Sequence, residues 1–341
     1  INDIYINYFY YIKYMNLLII YHDHNAINYN KMLIIDAFKR NNTLLENNNI
    51  KCEFLEINEI DDFKKIDIPK YKNYTFWLHQ KYGSYILTVD NYFNLIKENN
   101  IKTIFWMDDL HFPCMNLENE ERLENDIIES DVRYINVDMI VTPSINYFRN
   151  INSILLKKSK FLFYFFDENL IDMFNPNNNY NSRTNKILLS GKINSLSYPS
   201  RKQMYTNYFN NKDIFDWLEH PGYNNLKHNV YHLEYYKKLG SYKGAIVGLA
   251  KFPLNFLLAK VIEVLGSGCL GFFEASPLYK ERLGLEEYIH YIPIEFDENN
   301  KLKFLNYEYR YILDSGEGLE IALNGYNYIK NNFNSKTFIK N

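Results

Sequence analysis

Lys251–Gly271 reads KFPLNFLLAKVIEVLGSGCLG. Its apolar residues Leu254, Leu257, Leu258, Val261, Ile262 and Leu265 recur at i, i+3, i+4, i+7, i+8 and i+11, the stripe of a helix packed on a core. Pro253 suits the first turn, where its missing N–H would have had no intrahelical partner. Gly266 and Gly268 suit the end of the helix. Cys269–Phe273 then reads as a buried strand. Inside the helix Lys260 and Glu263 stand one turn apart, and on a solvated face they would be an ordinary i, i+3 ion pair.

The residues flanking the pair on both sides point further. A helix carrying K-x-x-E, closed by the small-residue turn Gly266-Ser267-Gly268-Cys269 and a short apolar strand, resembles the donor-site helix of GT-B glycosyltransferases of the group 1 kind. Leu283-Gly284-Leu285, Tyr288–Pro293 and Gly318–Phe333 resemble the later segments of that family in the same order. Upstream, Leu188-Leu189-Ser190-Gly191 followed by Tyr198-Pro199-Ser200-Arg201 resembles the opening of its donor domain. The resemblance covers the second half of the chain.

That resemblance implies an α/β protein of two Rossmann-like, doubly wound parallel-sheet domains facing a cleft. It implies transfer of a sugar from a nucleotide-sugar to a hydroxyl of a glycan, a protein or a small molecule. Glu263 would hold the ribose, since a carboxylate can accept two hydrogen bonds at once. Gly191 would let the backbone approach the diphosphate, and Lys192, Arg201, Lys251 and Lys260 would neutralise it. No cofactor and no metal are expected. Retaining members carry two glutamates eight positions apart, and the place of the first is Asn255 here. Two alternatives stay open: Asn255 as a hydrogen-bond donor in place of the acid, or a different stereochemical course.

Outward from this centre, strand-like apolar runs alternate with helical stretches in both halves, which predicts parallel sheets with right-handed crossovers. In the first half strands are expected at Asn16–Tyr21, Lys51–Ile57, Tyr74–Leu78, Lys102–Trp106, Asp138–Thr142 and Lys160–Phe166, with a helix over Tyr29–Glu46. In the second half they are expected at Lys186–Ser190 and Gly244–Leu249, with a helix over Val230–Leu239. Asn175–Asn185 (NPNNNYNSRTN) is polar and Pro-bearing and reads as an interdomain linker. The expected division is residues 15–170 for an acceptor-side domain, 171–185 for the linker, 186–318 for the donor domain and 319–341 for a closing helix crossing back toward the first domain.

Two polar clusters fall at carboxyl ends of expected strands, where α/β proteins place ligand contacts. His22-Asp23-His24 has no third metal ligand nearby and reads as a loop contact or plain exposure. Asp108-Asp109-Leu110-His111 is the more chemical of the two. Asp109 or His111 could act as general base toward an acceptor hydroxyl; a helix N-cap with a hydrogen-bonded loop accounts for the same residues. Asp108 and Asp109 also match a metal-binding acid pair of the GT-A architecture, but that places the donor site in the first domain and leaves the second half unexplained.

A chain of 341 residues suggests two domains. The 32 Tyr and 24 Phe, with abundant Asn, Ile and Lys, look like the translation of an AT-rich genome. A net charge of −3 argues against a dedicated nucleic-acid binder. Cys52, Cys114 and Cys269 are odd in number and scattered, which suggests a reducing, cytoplasmic compartment and no zinc site. Ile1–Tyr14 is aromatic but broken by Asn2, Asp3, Asn7 and Lys13, too polar for a transmembrane span. A soluble protein is therefore expected, with peripheral membrane association and an anchor further upstream left open. Two other classes fit the same features: a sugar-nucleotide epimerase or hydrolase, and a catalytically silent sugar-binding protein.

Overall fold

A computed structural model describes residues 14–21, 29–57, 60–79, 92–107, 137–143, 153–191, 193, 198–218, 232–250, 257–296, 303 and 306–341. The chain divides into two compact units, Ile1–Leu162 and Phe163–Asn341.

The first unit is built on six strands: β1 (Met15–Tyr21), β2 (Ile50–Glu56), β3 (Thr75–His79), β4 (Lys102–Trp106), β5 (Met139–Thr142) and β6 (Ser159–Phe161). They lie in the order β2-β1-β3-β4-β5-β6, every neighbouring pair parallel. Leu17, Leu18, Ile19 and Ile20 are buried one after another, because a parallel sheet is covered on both faces. Helices α1 (Tyr29–Arg40) and α2 (Asn42–Asn47) occupy the single helix expected over Tyr29–Glu46. They part at Asn41, whose side-chain amide donates to the Ala37 carbonyl at 2.9 Å and competes with the helical ladder. Two 3-10 turns, Ile60–Lys65 and Ile68–Tyr71, and helices α3 (Tyr92–Glu98) and α4 (Ser153–Lys158) complete the described elements of this unit. β6 stops at Phe161, so the strand expected over Lys160–Phe166 is shorter: Phe163, Phe165 and Phe166 are buried without strand pairing.

The second unit carries β7 (Thr184–Ser190), β8 (Phe215–Leu218), β9 (Tyr242–Val247), β10 (Leu270–Glu274) and β11 (Ile292–Ile294) in the order β11-β10-β9-β7-β8, again all parallel. Its helices are α5 (Glu168–Ile171), α6 (Pro176–Asn179), α7 (Pro199–Asn210), α8 (His232–Gly240), α9 (Lys260–Gly266), α10 (Asn306–Asp314), α11 (Gly316–Asn332) and α12 (Ser335–Lys340). β9 is buried along its whole length, Lys243 included. That lysine is tolerated because its ammonium donates to the Asp314 carboxylate at 2.5 Å. The core joins Ile187, Leu189, Ile246, Leu270 and Phe272 of the sheet to Leu313, Ile321 and Ala322 of α10 and α11.

Three expectations are corrected. Residues 171–185 are no linker. They fold into short helical turns within the second unit, Tyr180 and Arg183 are buried, and the division falls at 162/163 rather than after 170. Asn and Pro punctuate linkers, but they also start helical turns: Asn175 Oδ1 accepts from the Asn177 N–H at 3.1 Å, with Pro176 in the first turn. Arg183 explains why the segment is pinned. Its guanidinium donates to the carbonyls of Ser267 (3.1 Å), Gly268 (2.7 Å) and Phe174 (2.9 Å), tying the segment to the turn after α9.

The second correction concerns the helix read from Lys251. Among the described residues it begins only at Lys260, with Leu257 and Leu258 in non-helical backbone. Apolar spacing marks which residues face the core, and Leu257 is buried, but it does not mark where the hydrogen-bond ladder starts. Finally, 319–341 is not one helix. α11 ends at Asn332 and α12 starts at Ser335, because the Asn334 side chain caps α12 by accepting from the Thr337 N–H at 3.0 Å. Both helices lie in the second unit, where Phe166 N–H donates to the Phe333 carbonyl at 2.9 Å.

Candidate functional site

In the second sheet the strand order reverses between β7 and β9, and α/β sheets bind ligands in the crevice beyond the carboxyl ends of strands at such a point. β7 ends in Ser190-Gly191 and β9 runs into Gly248. Side chains crowd both glycines. Gly191 has φ +105°, and a Cβ there would lie 2.9 Å from Arg201 Nη1 and 3.0 Å from Lys260 Cε. A Cβ on Gly248 would lie 3.1 Å from Ser200 Cβ. The start of α7 therefore sits directly over the strand ends.

The charged groups are held from two helices. Pro199 opens α7 with its φ already helical, and the buried Ser200, Arg201 and Met204 form the helix face that packs down on the sheet. The Arg201 guanidinium also lies 4.1 Å from the Tyr198 ring centre, a cation–π contact that steers it back over the crevice. Lys260 and Glu263 come from the first turn of α9, whose Val261, Ile262, Val264 and Leu265 are buried. Their spacing leaves both polar side chains at the margin of that face, 22% and 15% exposed.

The Lys260 ammonium is 2.7 Å from the Tyr235 hydroxyl and 3.5 Å from Glu263 Oε2. Burial pulls the lysine's pKa down, and Tyr235 and Glu263 more than offset this, so the ammonium stays protonated. Tyr235 in turn is 3.1 Å from Ser190 Oγ. Two buried polar atoms of the crevice have no hydrogen-bond partner among the described residues: Glu263 Oε2 and Ser200 Oγ. Two cations, with a carboxylate oxygen and a hydroxyl that lack hydrogen-bond partners among the described residues, are the groups to bind a polyanion that also carries hydroxyl groups.

The structure thus brings Gly191, Arg201, Lys260 and Glu263 together. Lys192, Lys251 and Asn255 lie outside the described residues, as do Asp108, Asp109 and His111 and the cluster His22–His24. The strands leading to those two clusters, β1 and β4, are present and end at Tyr21 and Trp106. Tyr235 and Ser190 escaped the sequence reading as site residues; nothing in their local pattern separates Tyr235 from 31 other tyrosines. Among the described residues no group of three or more His, Cys, Asp and Glu could hold a metal ion, and no helix is long and apolar enough to cross a membrane.

No family model and no curated protein sequence matches the chain. Solved structures do. A glycosyltransferase from Rickettsia africae ESF-5 superposes with a TM-score of 0.54 at 12% identity, over 96% of each chain. The fold is GT-B. Two further likenesses are weaker and add no weight. The N-terminal domain of Candida albicans trehalose-6-phosphate phosphatase reaches 0.49 at 10% identity over 95% and 94% of the two chains. Os79 from O. sativa, solved with UDP and deoxynivalenol-3-glucoside, reaches 0.45 at 8% over 96% and 99%.

Proposed function

We propose that the protein is a glycosyltransferase that takes a sugar from a nucleotide-sugar and passes it to a hydroxyl acceptor, with the donor held in the crevice at β7 and β9. The observation that carries this reading is the convergence of Arg201 and Lys260 on Gly191 beside a Glu263 oxygen that accepts no hydrogen bond from the described residues. In the reaction the acceptor oxygen bonds to the anomeric carbon while the bond from that carbon to the diphosphate breaks, and the diphosphate leaves with the electron pair. Arg201 and Lys260 meet the charge growing on it, and preorganised cations in a partly desolvated site are effective there. Glu263 takes the ribose hydroxyls. On the resemblance of their sequence segments, Lys192 and Lys251 are further candidates to neutralise the diphosphate, and Asn255 to donate a hydrogen bond to the donor sugar. The acceptor's proton passes to a general base, for which the sequence offers Asp108, Asp109 and His111.

The test is product analysis on a panel of nucleotide-sugars, with and without glycan and small-molecule hydroxyl acceptors. Nucleoside diphosphate released together with a glycosylated acceptor supports the proposal. Release or epimerisation that ignores the acceptor makes the protein a hydrolase or epimerase of the same fold, and donor binding without turnover makes it a sugar-binding protein. The proposal assigns charge neutralisation to Arg201 and Lys260, so turnover survives EDTA. Strict loss restored by manganese would promote Asp108 and Asp109 to metal ligands.

A further inference from the structure

The Tyr235 hydroxyl sits between two groups of the crevice that come from two other elements. Tyr235 belongs to α8, and its neighbours Tyr236 and Leu239 are buried, with the Tyr236 ring 4.7 Å from that of Phe166. The helix is therefore anchored and cannot roll freely about its axis. From this fixed base the hydroxyl reaches Lys260 Nζ at 2.7 Å and Ser190 Oγ at 3.1 Å.

The donor inventory fixes the direction of the first bond. An ammonium only donates, so Tyr235 must accept from Lys260. Between Tyr235 and Ser190 either hydroxyl can donate, and donation from Tyr235 gives its single O–H a partner. In that arrangement Ser190 accepts and turns its own hydrogen elsewhere. That chain of bonds ends on the Ser190 hydroxyl, next in sequence to Gly191.

The same bond decides the state of Glu263. The lysine takes the short contact to Tyr235 and stays 3.5 Å from the Glu263 carboxylate, whose Oε2 accepts no hydrogen bond from the described residues. Lys260 and Glu263 are one helical turn apart, and without the tyrosine oxygen the ammonium would close onto the carboxylate. We infer that Tyr235 is the positioning residue of this crevice: its hydroxyl holds the Lys260 ammonium off Glu263, keeping the carboxylate open to a ribose hydroxyl, and turns the Ser190 hydroxyl into a donor for a phosphate oxygen. The inference rests on the nucleotide-sugar reading of the site.

Calorimetric titration of the full chain tests it, using UDP, GDP and ADP and then the parent nucleoside of whichever wild type binds tightest. Tyr235→Phe removes one oxygen, and it should weaken nucleoside binding by roughly five- to tenfold because Lys260 now occupies Glu263. Adding Lys260→Met should restore nucleoside affinity to the wild-type level, since no ammonium remains to block the carboxylate. A merely structural role for Tyr235 would leave the double variant as weak as the single one, and that result overturns the inference while the nucleotide reading stands. Ser190→Ala gives a reading that does not depend on Tyr235→Phe folding. It should weaken the diphosphate by roughly fivefold and leave the nucleoside unchanged; equal affinity for the diphosphate overturns the phosphate-donor half. Wild type that binds none of the three diphosphates removes the nucleotide reading itself, and the inference with it.

Discussion

Replacing Gly191 by alanine perturbs the crevice at its tightest point. The backbone there has φ +105°, a region L-residues rarely adopt, and holding a non-glycine residue in it costs about 1–3 kcal/mol. The new methyl would lie 2.9 Å from Arg201 Nη1 and 3.0 Å from Lys260 Cε. Both are the far ends of long side chains, so steric strain adds little; the ends move away instead. What is lost is placement. Displacing one charge-assisted contact to a phosphate costs about 1.5–3 kcal/mol, or roughly ten- to a hundredfold in affinity. Gly191→Ala should therefore lose about 1–3 kcal/mol in urea denaturation followed by Trp217 fluorescence, and at least tenfold in nucleoside diphosphate affinity by calorimetry on the folded protein. Gly316→Ala is the control, because a Cβ there meets nothing within 4 Å; both quantities should stay near wild type. A Gly191→Ala protein equal to wild type in stability and affinity would refute the placement of Arg201 and Lys260 over this glycine.

Two further substitutions test the frame that holds the crevice. In Gly268→Ala, φ is +67° and the added Cβ would lie 2.2 Å from the Phe174 carbonyl oxygen; backbone cannot swing aside, so stability should fall by about 3 kcal/mol or more, and a loss under about 1 kcal/mol in urea denaturation contradicts the packing of 163–183 on the turn after α9. Asp314 is the third case: the hydrogen bond from Lys243 holds its carboxyl below the ordinary value of 3.8, with Asn185 helping against burial. A depressed folded-state pKa stabilises above the unfolded value and is lost as pH falls through the folded one. Asp314→Asn should thus unfold at lower temperature than wild type at pH 7, and the gap should close as the pH drops below about 3.8; a gap independent of pH argues against the pair.

Much of this was legible in the sequence because parallel sheets leave a plain signature. Runs such as Leu17–Ile20 and Ile187–Leu189 are buried on both faces and read as continuous apolar stretches. Lys260 and Glu263 were legible as a pair because K-x-x-E sits beside a turn of small residues. β8 was not, since Phe215–Leu218 is four residues long and carries Asp216 in its middle. Residues 171–185 read as linker because Asn and Pro serve a helix cap and a flexible segment equally well; only the burial of Tyr180 and Arg183 tells them apart. Tyr235 was invisible for a different reason. Its role depends on the distance between α8, α9 and the end of β7, and no local pattern encodes a distance between three elements.

The central claim is that the β7–β9 crevice holds a nucleoside diphosphate by its phosphates and its ribose together. Calorimetric titration of wild type and Glu263→Gln with UDP, GDP and ADP tests it most directly. Gln keeps the shape of the side chain and removes the charge. A hydrogen bond to a charged group contributes about 1.5–3 kcal/mol, so for the preferred diphosphate the variant should bind roughly ten- to a hundredfold more weakly with its melting temperature little changed. Equal affinity in the two proteins, or no binding of any of the three diphosphates by wild type, would contradict the account.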